Sequence, residues 1–347
     1  MTRPSTRPLG IVAALVAGLS LVASGCGDDS ASKQPAPGSE RPTVSILTYD
    51  SYVLDEKVKA TVERELGVRL ELKTGGDGAE VLSSAILTAG RPDADIIFGV
   101  DNTLLSRAVQ GKVLDRVDPA TLRNLDGVPE DLRLDASGRL FPVDVGPVCV
   151  DYDTQWFADR KLDPPSTLAD LADPRYRDLL VVESPVTSTP GLVFLMATHA
   201  SLGDGAEQFW RDLKANGVSV AGSWDDAWYT QYTVSGGDRP LVVSYASSPP
   251  AEVFYSEGKV TTPRTGVVTA TCADQVEFAG VLRGSKHAEL AAKVIDAMLG
   301  ERWQASLPLA NFVYPARAGT PLPELFEKWA KRPADTIQLD PATIDAK

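Results

Sequence analysis

Residues 43–102 read TVSILTYDSYVLDEKVKATVERELGVRLELKTGGDGAEVLSSAILTAGRPDADIIFGVDN, and this stretch decides the fold. Val44, Ile46 and Leu47-Thr48-Tyr49 form a buried strand that stops at Asp50-Ser51. Val58, Val62 and Leu66 then recur every four residues, Gly67 stands where a helix ends, and Val68, Leu70 and Leu72 alternate as a second strand. The loop Thr74-Gly75-Gly76-Asp77-Gly78 leads into a helix over Ala79–Ala89 closed by Gly90, and Ala94–Val100 is a third strand ending at Asp101-Asn102. Strands alternating with helices specify an α/β chain with a mostly parallel sheet, whose ligands lie beyond the carboxyl ends of the strands. Tyr49, Asp50, Asp77 and Asp101 all fall there.

Working outward, further strands are expected over Val143–Tyr152, Leu179–Val182, Leu241–Tyr245 and Val267–Thr271. Helices are expected over Leu192–Ala200 and Ala288–Leu299, and an aromatic segment, Trp303–Tyr314, closes the order. Two lobes joined by two strand crossings account for it, with residues 43–144 plus 273–347 in one lobe and 145–272 in the other.

Upstream, Arg3 and Arg7 precede an uncharged run from Leu9 to Gly25, the layout of a secretory signal. The run is shorter than the roughly 20 residues a membrane span needs. Ala23-Ser24-Gly25 before Cys26 resembles a lipobox, in which the cysteine is acylated and begins the mature chain. Residues 1–25 are thus a leader and 26–42 a flexible linker, whose Asp, Ser, Lys, Gln, Pro and Gly cannot offset the entropy of ordering. Loss of the leader leaves 322 of 347 residues and moves the formal charge from −13 to −15. Such a surface repels nucleic acid.

Enzyme signatures are few. His199 and His287 are the only histidines, and the chain has no Gly-x-Ser-x-Gly elbow, phosphate loop or dinucleotide fingerprint. His199 reads as a core or capping residue and His287, beside Lys286, as exposed. Neither a metal nor a cofactor is implied, and the chain is not read as an enzyme.

Binding features are more informative. Pro185-Val186-Thr187-Ser188-Thr189-Pro190-Gly191 places hydroxyls before a proline and an apolar helix, which suits either capping or an anion at a helix N-terminus. Trp224 sits on a turn, Gly222-Ser223 before it and Asp225-Asp226 after, and Tyr245 ends an apolar strand. In an exported chain Cys149 and Cys272 are natural disulfide partners, with two buried free thiols in strands as the alternative.

Together, Thr48-Tyr49-Asp50-Ser51, Asp77-Gly78, Ala94 to Asn102, Thr187-Ser188-Thr189-Pro190-Gly191, Gly222-Ser223-Trp224, Val243 to Pro249 and Tyr314-Pro315 resemble the periplasmic thiamine-binding proteins of ABC importers, and in the same order. The resemblance implies the two-lobed type II fold with a ligand cleft between lobes, and a monomer that delivers thiamine or a thiamine phosphate to a permease and its ATPase. It puts Tyr49, Asp77, Ser188, Trp224 and Tyr245 in the cleft, with Gly78, Asp101, Thr189 and Phe312 completing the candidate set. The family's tryptophan before Tyr-Pro is Phe312 here, its tryptophan soon after Tyr-Asp-Ser is missing from Tyr52–Lys57, and Pro250-Ala251 replaces a tyrosine. These departures suit either weaker binding or a variant ligand such as a phosphate ester or the free pyrimidine. Polyamine or ferric-ion importers are the alternatives within the fold, although no Tyr-Tyr pair is present. A surface adhesin or an exported hydrolase, the latter with Ser188 but no histidine base, are the alternatives outside it.

Overall fold

The computed structural model describes residues 41–330, 332–339 and 344, so the leader, Cys26 and nearly all of the linker lie outside the described residues. Strand β1 (Thr43–Thr48) is buried or half-buried along its whole length, as a strand covered on both faces must be. Asp55 caps α1 (Glu56–Leu66) by accepting from the N–H groups of Lys57 and Val58, and Gly67 closes it at φ 65°, a left-handed conformation free of Cβ strain only for glycine. Strand β2 (Arg69–Thr74) then pairs in parallel with β1. Asp77 opens α2 (Gly78–Leu87) through a capping box with Glu80, and β3 (Ile96–Asp101) returns parallel to β1, buried throughout.

The remaining strands are β4 (Phe141–Asp153), β5 (Leu180–Glu183), β6 (Ser219–Ala221), β7 (Leu241–Tyr245), β8 (Thr265–Val281) and β9 (Tyr314–Pro315). They form one sheet in the order β2-β1-β3-β8-β4-β7-β5-β6, with β9 also paired to β4. Its flanks are parallel, as the alternation of strands and helices predicts. Its middle is antiparallel. The reason is topological: β4 carries the chain out of the first half of the sheet and β8 carries it back, so the two must run in opposite directions.

The expected strand at Val267–Thr271 is thus one end of a 17-residue strand. Within it Val148 pairs with Ala273 but Val150 pairs with Val268, so residues 269–272 bulge out opposite Cys149. Thr271 Oγ1 fills the gap by accepting from the Val150 N–H at 2.8 Å. Cys149 and Cys272 are disulfide-bonded at this bulge.

Each half of the sheet has its own apolar core. Val44, Ile46, Phe98, Val294, Ile295 and Trp303 belong to the first, and Val148, Val150, Phe194, Leu213 and Val243 to the second. The aromatic segment is a helix, Glu301–Ala310, followed by β9. His199 is half-buried in the last turn of the helix Thr189–Leu202. His287 is half-buried too, rather than exposed, and stands at the N-cap position of the helix Ala288–Met298.

Candidate functional site

Strand ends from both halves of the sheet converge on a cavity of about 290 Å³ lined by Tyr49, Asp77, Thr189, Trp224, Trp228, Tyr229, Tyr245, Glu252, Tyr255, Glu277 and Phe312, among others. Tyr49 follows β1 directly. Its ring lies against Phe98 and Tyr52, and its hydroxyl donates to Glu277 Oε2 at 2.9 Å. Gly99, at φ 95°, makes room for it: a Cβ there would come within 2.5 Å of the Tyr49 ring.

Asp77 is the N-cap of α2, accepting from Gly78 N with Oδ1, while Oδ2 accepts from Trp224 N at 3.2 Å. One carboxylate therefore holds the start of a helix and also reaches the turn that carries Trp224. Burial raises its pKa, only partly offset by the nearby Ser188 hydroxyl and by the N–H groups of Trp224 and Gly78.

Trp224 is fixed on both edges. Its indole N–H donates to Ser244 Oγ at 3.0 Å, and its face stacks on Trp228 with centroids 5.8 Å apart and planes within 12°. Tyr229 meets it edge-on and Tyr245 packs at a tilt. This aromatic group exists because residues 226–231 wind as a π-helix, an arrangement concentrated at functional sites. Tyr245 ends β7 and donates its hydroxyl to Gln275 Oε1 at 2.9 Å. Phe312 closes the far side, its backbone in the left-handed region at φ 54° and its ring beside Phe254 and Tyr255.

The cavity's charged side chains are the carboxyls Asp77, Glu252 and Glu277, and seven of the residues lining it are aromatic. Such a surface attracts a flat organic cation, through the negative faces of the rings and through carboxylate acceptors.

A model of the bacterial extracellular solute-binding proteins matches residues 91–334. The chain belongs to that family. This solute-binding protein is 30% identical to the thiamine-binding periplasmic protein of Salmonella typhimurium (strain LT2) over 320 residues, covering 90% of this chain and 92% of that one. Among solved structures, a periplasmic thiamin binding protein superposes with a TM-score of 0.76 at 27% identity, covering 89% and 94% of the two chains. Iron-bound HitA from Pseudomonas aeruginosa superposes at 0.68 with 19% identity, covering 87% and 95%, and shows the shared fold alone. The fold of this solute-binding protein is the two-lobed type II fold expected from its sequence.

Six of the residues singled out in the sequence, Tyr49, Asp77, Thr189, Trp224, Tyr245 and Phe312, line the one cavity. Three stand behind it. Gly78 is buried where a Cβ would lie 2.8 Å from Thr189 Cγ2 and 3.1 Å from Gly99 O, so its place is set by close approach of backbones. Ser188 occupies the N-cap position of the helix Thr189–Leu202 without making a capping bond. It is wholly buried, and its hydroxyl lies near Asp77 without reaching a hydrogen bond of standard geometry.

Asp101 is likewise wholly buried. It accepts from Thr103 N and Oγ1 and from Gln275 Nε2 at 3.0 Å, and burial pushes its pKa up to about 7. Because Gln275 also accepts from Tyr245, Asp101 orients a cavity wall from one residue back.

Sequence reading missed Trp228, Tyr229, Glu252, Tyr255 and Glu277. Trp228 was within reach, one helical turn after Trp224. Tyr255 likewise lies one turn beyond Ala251, so a helix Ser248–Tyr255 restores a phenol near the place where the family's tyrosine is missing. Glu277 carried no local signal, since it becomes part of the cavity only through pairing with β3 and β4.

Proposed function

We propose that this chain is the capture subunit of an ABC importer, taking thiamine or a thiamine phosphate and passing it to a permease and its ATPase. The observation that carries this reading is an aromatic cavity whose charged side chains are carboxyls, in a chain similar along 90% of its length to a protein named for thiamine binding. Thiamine combines a flat aminopyrimidine, which stacks and donates hydrogen bonds, with a thiazolium cation, which aromatic faces and carboxylates attract. The cavity volume is near the lower end of the roughly 300–1,000 Å³ common for small-molecule sites and suits a ligand of two small rings.

In this reading Trp224 and Tyr245 stack on the ligand, with Phe312 and Tyr49 opposite. Asp77 accepts from its amino group. Thr189, at the head of a helix, faces its hydroxyethyl arm, while Gly78, Asp101 and Ser188 act from behind. The lobes are residues 43–144 plus 273–347 and residues 145–272. Supporting that division, β4 changes its neighbour from β9 to β7 between Val145 and Val148, beside the disulfide-linked bulge.

The mature protein is tethered at the outer face of the membrane by lipid on Cys26. Cys26→Ser should release it from the membrane fraction or leave it unprocessed, and unchanged behaviour would count against the tether. The ligand is tested by calorimetric titration of the purified protein with thiamine, thiamine monophosphate, spermidine and ferric citrate. Saturable heat with a thiamine compound supports the proposal. Binding of spermidine or ferric citrate alone would move the protein to the polyamine or ferric-ion importers.

A further inference from the structure

Glu277 lies in the last third of β8, lines the cavity and is 5% exposed. Directly opposite it across the β4–β8 pair is Asp144, 1% exposed and with Oδ1 lacking a hydrogen-bond partner among the described residues. Opposed residues on antiparallel strands have Cβ atoms about 5 Å apart. At that separation, in a buried site, two carboxyls do not both ionise.

We propose that Glu277 is the carboxylate that neutralises the positive charge of the ligand, and that its burial among the acids Asp101, Asp77 and Asp144 makes this binding a competition between the organic cation and a proton. The inference rests on the proposed capture of thiamine, and adds the residue that selects for charge.

The groups that face Glu277 come from every neighbouring element. They are the Tyr49 hydroxyl after β1, Asp77 at the head of α2, Asp101 on β3, Asp144 on β4 and the Tyr245 hydroxyl at the end of β7. All are acids or phenols, so no counter-charge among them competes with an incoming cation. Burial, reinforced by the charges of Asp101 and Asp77, lifts the Glu277 pKa to about 8, against the pull of the hydrogen bonds from Tyr49 and Asp144. Burial and Glu277 itself raise that of Asp144.

With no cation bound, burial among these acids keeps the proton on Glu277 at neutral pH. When a monovalent cation enters, the proton leaves to solvent and the charge of Glu277 is balanced. Affinity for a cation should rise with pH up to about 8 and level off above it, whereas affinity for a neutral ligand of the same shape should not follow this rise.

Thiamine and its neutral thiophene isostere, in which carbon replaces the thiazolium nitrogen, form the probe pair. Each is titrated by tryptophan fluorescence between pH 6 and pH 8 into the wild type, Glu277→Gln, Glu277→Asp and Asp144→Asn. The wild type should prefer thiamine, and more so at pH 8. Glu277→Gln, which keeps an acceptor for Tyr49, should lose about thirtyfold in thiamine affinity at pH 8 and little for the isostere. Glu277→Asp should keep the sign of the preference. Asp144→Asn, as a positioning change that keeps a donor to Glu277, should leave the sign of the pH dependence unchanged, because burial among Asp101 and Asp77 remains. Equal binding of both probes by the wild type, or an undiminished preference in Glu277→Gln, overturns the role of Glu277 while leaving thiamine capture intact. A flat pH profile in the wild type overturns the proton competition. If the wild type binds neither probe, thiamine capture itself fails, and this inference with it.

Discussion

Trp224 is held at its indole N–H by Ser244, at its backbone N–H by Asp77 and on its face by Trp228, so it is ordered before any ligand arrives. Pre-ordering removes a cost of binding. Truncating such an anchor typically costs about 2 kcal/mol or more, so Trp224→Ala should weaken thiamine binding by tens of fold in a fluorescence titration while circular dichroism stays native. Asp77→Asn should weaken it less. Asparagine caps a helix nearly as well as aspartate, so the fold is spared, but its single oxygen cannot accept from both Gly78 N and Trp224 N, so one acceptor is lost along with the charge. Binding equal to the parent in both variants would remove Trp224 and Asp77 from the site. Residues at the ends of elements, such as Tyr49, Asp77 and Tyr245, were legible because strand ends in an α/β sheet point to the cleft. Asp101 satisfies the same rule and yet stands one residue back, since Thr103 and Gln275 had already claimed both of its oxygens.

Strand β3 shows how an element shapes a wall of the cavity without touching the ligand. Its register shifts between Phe98 and Val100, and the intervening Gly99 has a positive φ and no side chain exactly where the Tyr49 ring passes. Gly99→Ala should cost about 1–3 kcal/mol from backbone strain alone, seen as a lower denaturant midpoint. It should also displace Tyr49 and so reduce ligand affinity. Retained affinity in a destabilised variant would show that Tyr49 tolerates displacement. Elements with a clear period, α1 and β1 to β3, could be read from the sequence to within a residue or two. The π-helix at 226–231 and the bulge at 269–272 could not, because each depends on partners more than a hundred residues away or on a winding that no short-range pattern signals.

For the molecule as a whole, the concentration of buried carboxyls predicts an unusual pH response. Asp101 and Glu277 have pKa values lifted to about 7 and about 8, above those of the unfolded chain, so the stability they contribute is full below about pH 4 and is lost as pH rises through 7 to 8. The ligand-free protein should therefore melt at a higher temperature at pH 5.5 than at pH 8, and a saturating cation should narrow the difference. An unchanged or inverted order would show that other groups dominate. The bond between Cys149 and Cys272, 123 residues apart, should contribute at most about 5 kcal/mol by restricting the unfolded chain. Thiol counting under denaturing, non-reducing conditions should find no reactive pair, and Cys149→Ala with Cys272→Ala should lower the melting temperature. The same link has a mechanical meaning. Two strands running side by side between the halves, stitched at one point, behave as a leaf spring: they flex readily across their thickness but cannot slide past one another. Any opening and shutting of the cleft is thereby channelled into a single hinge-like bend, so the aromatic walls meet in the same alignment on every stroke.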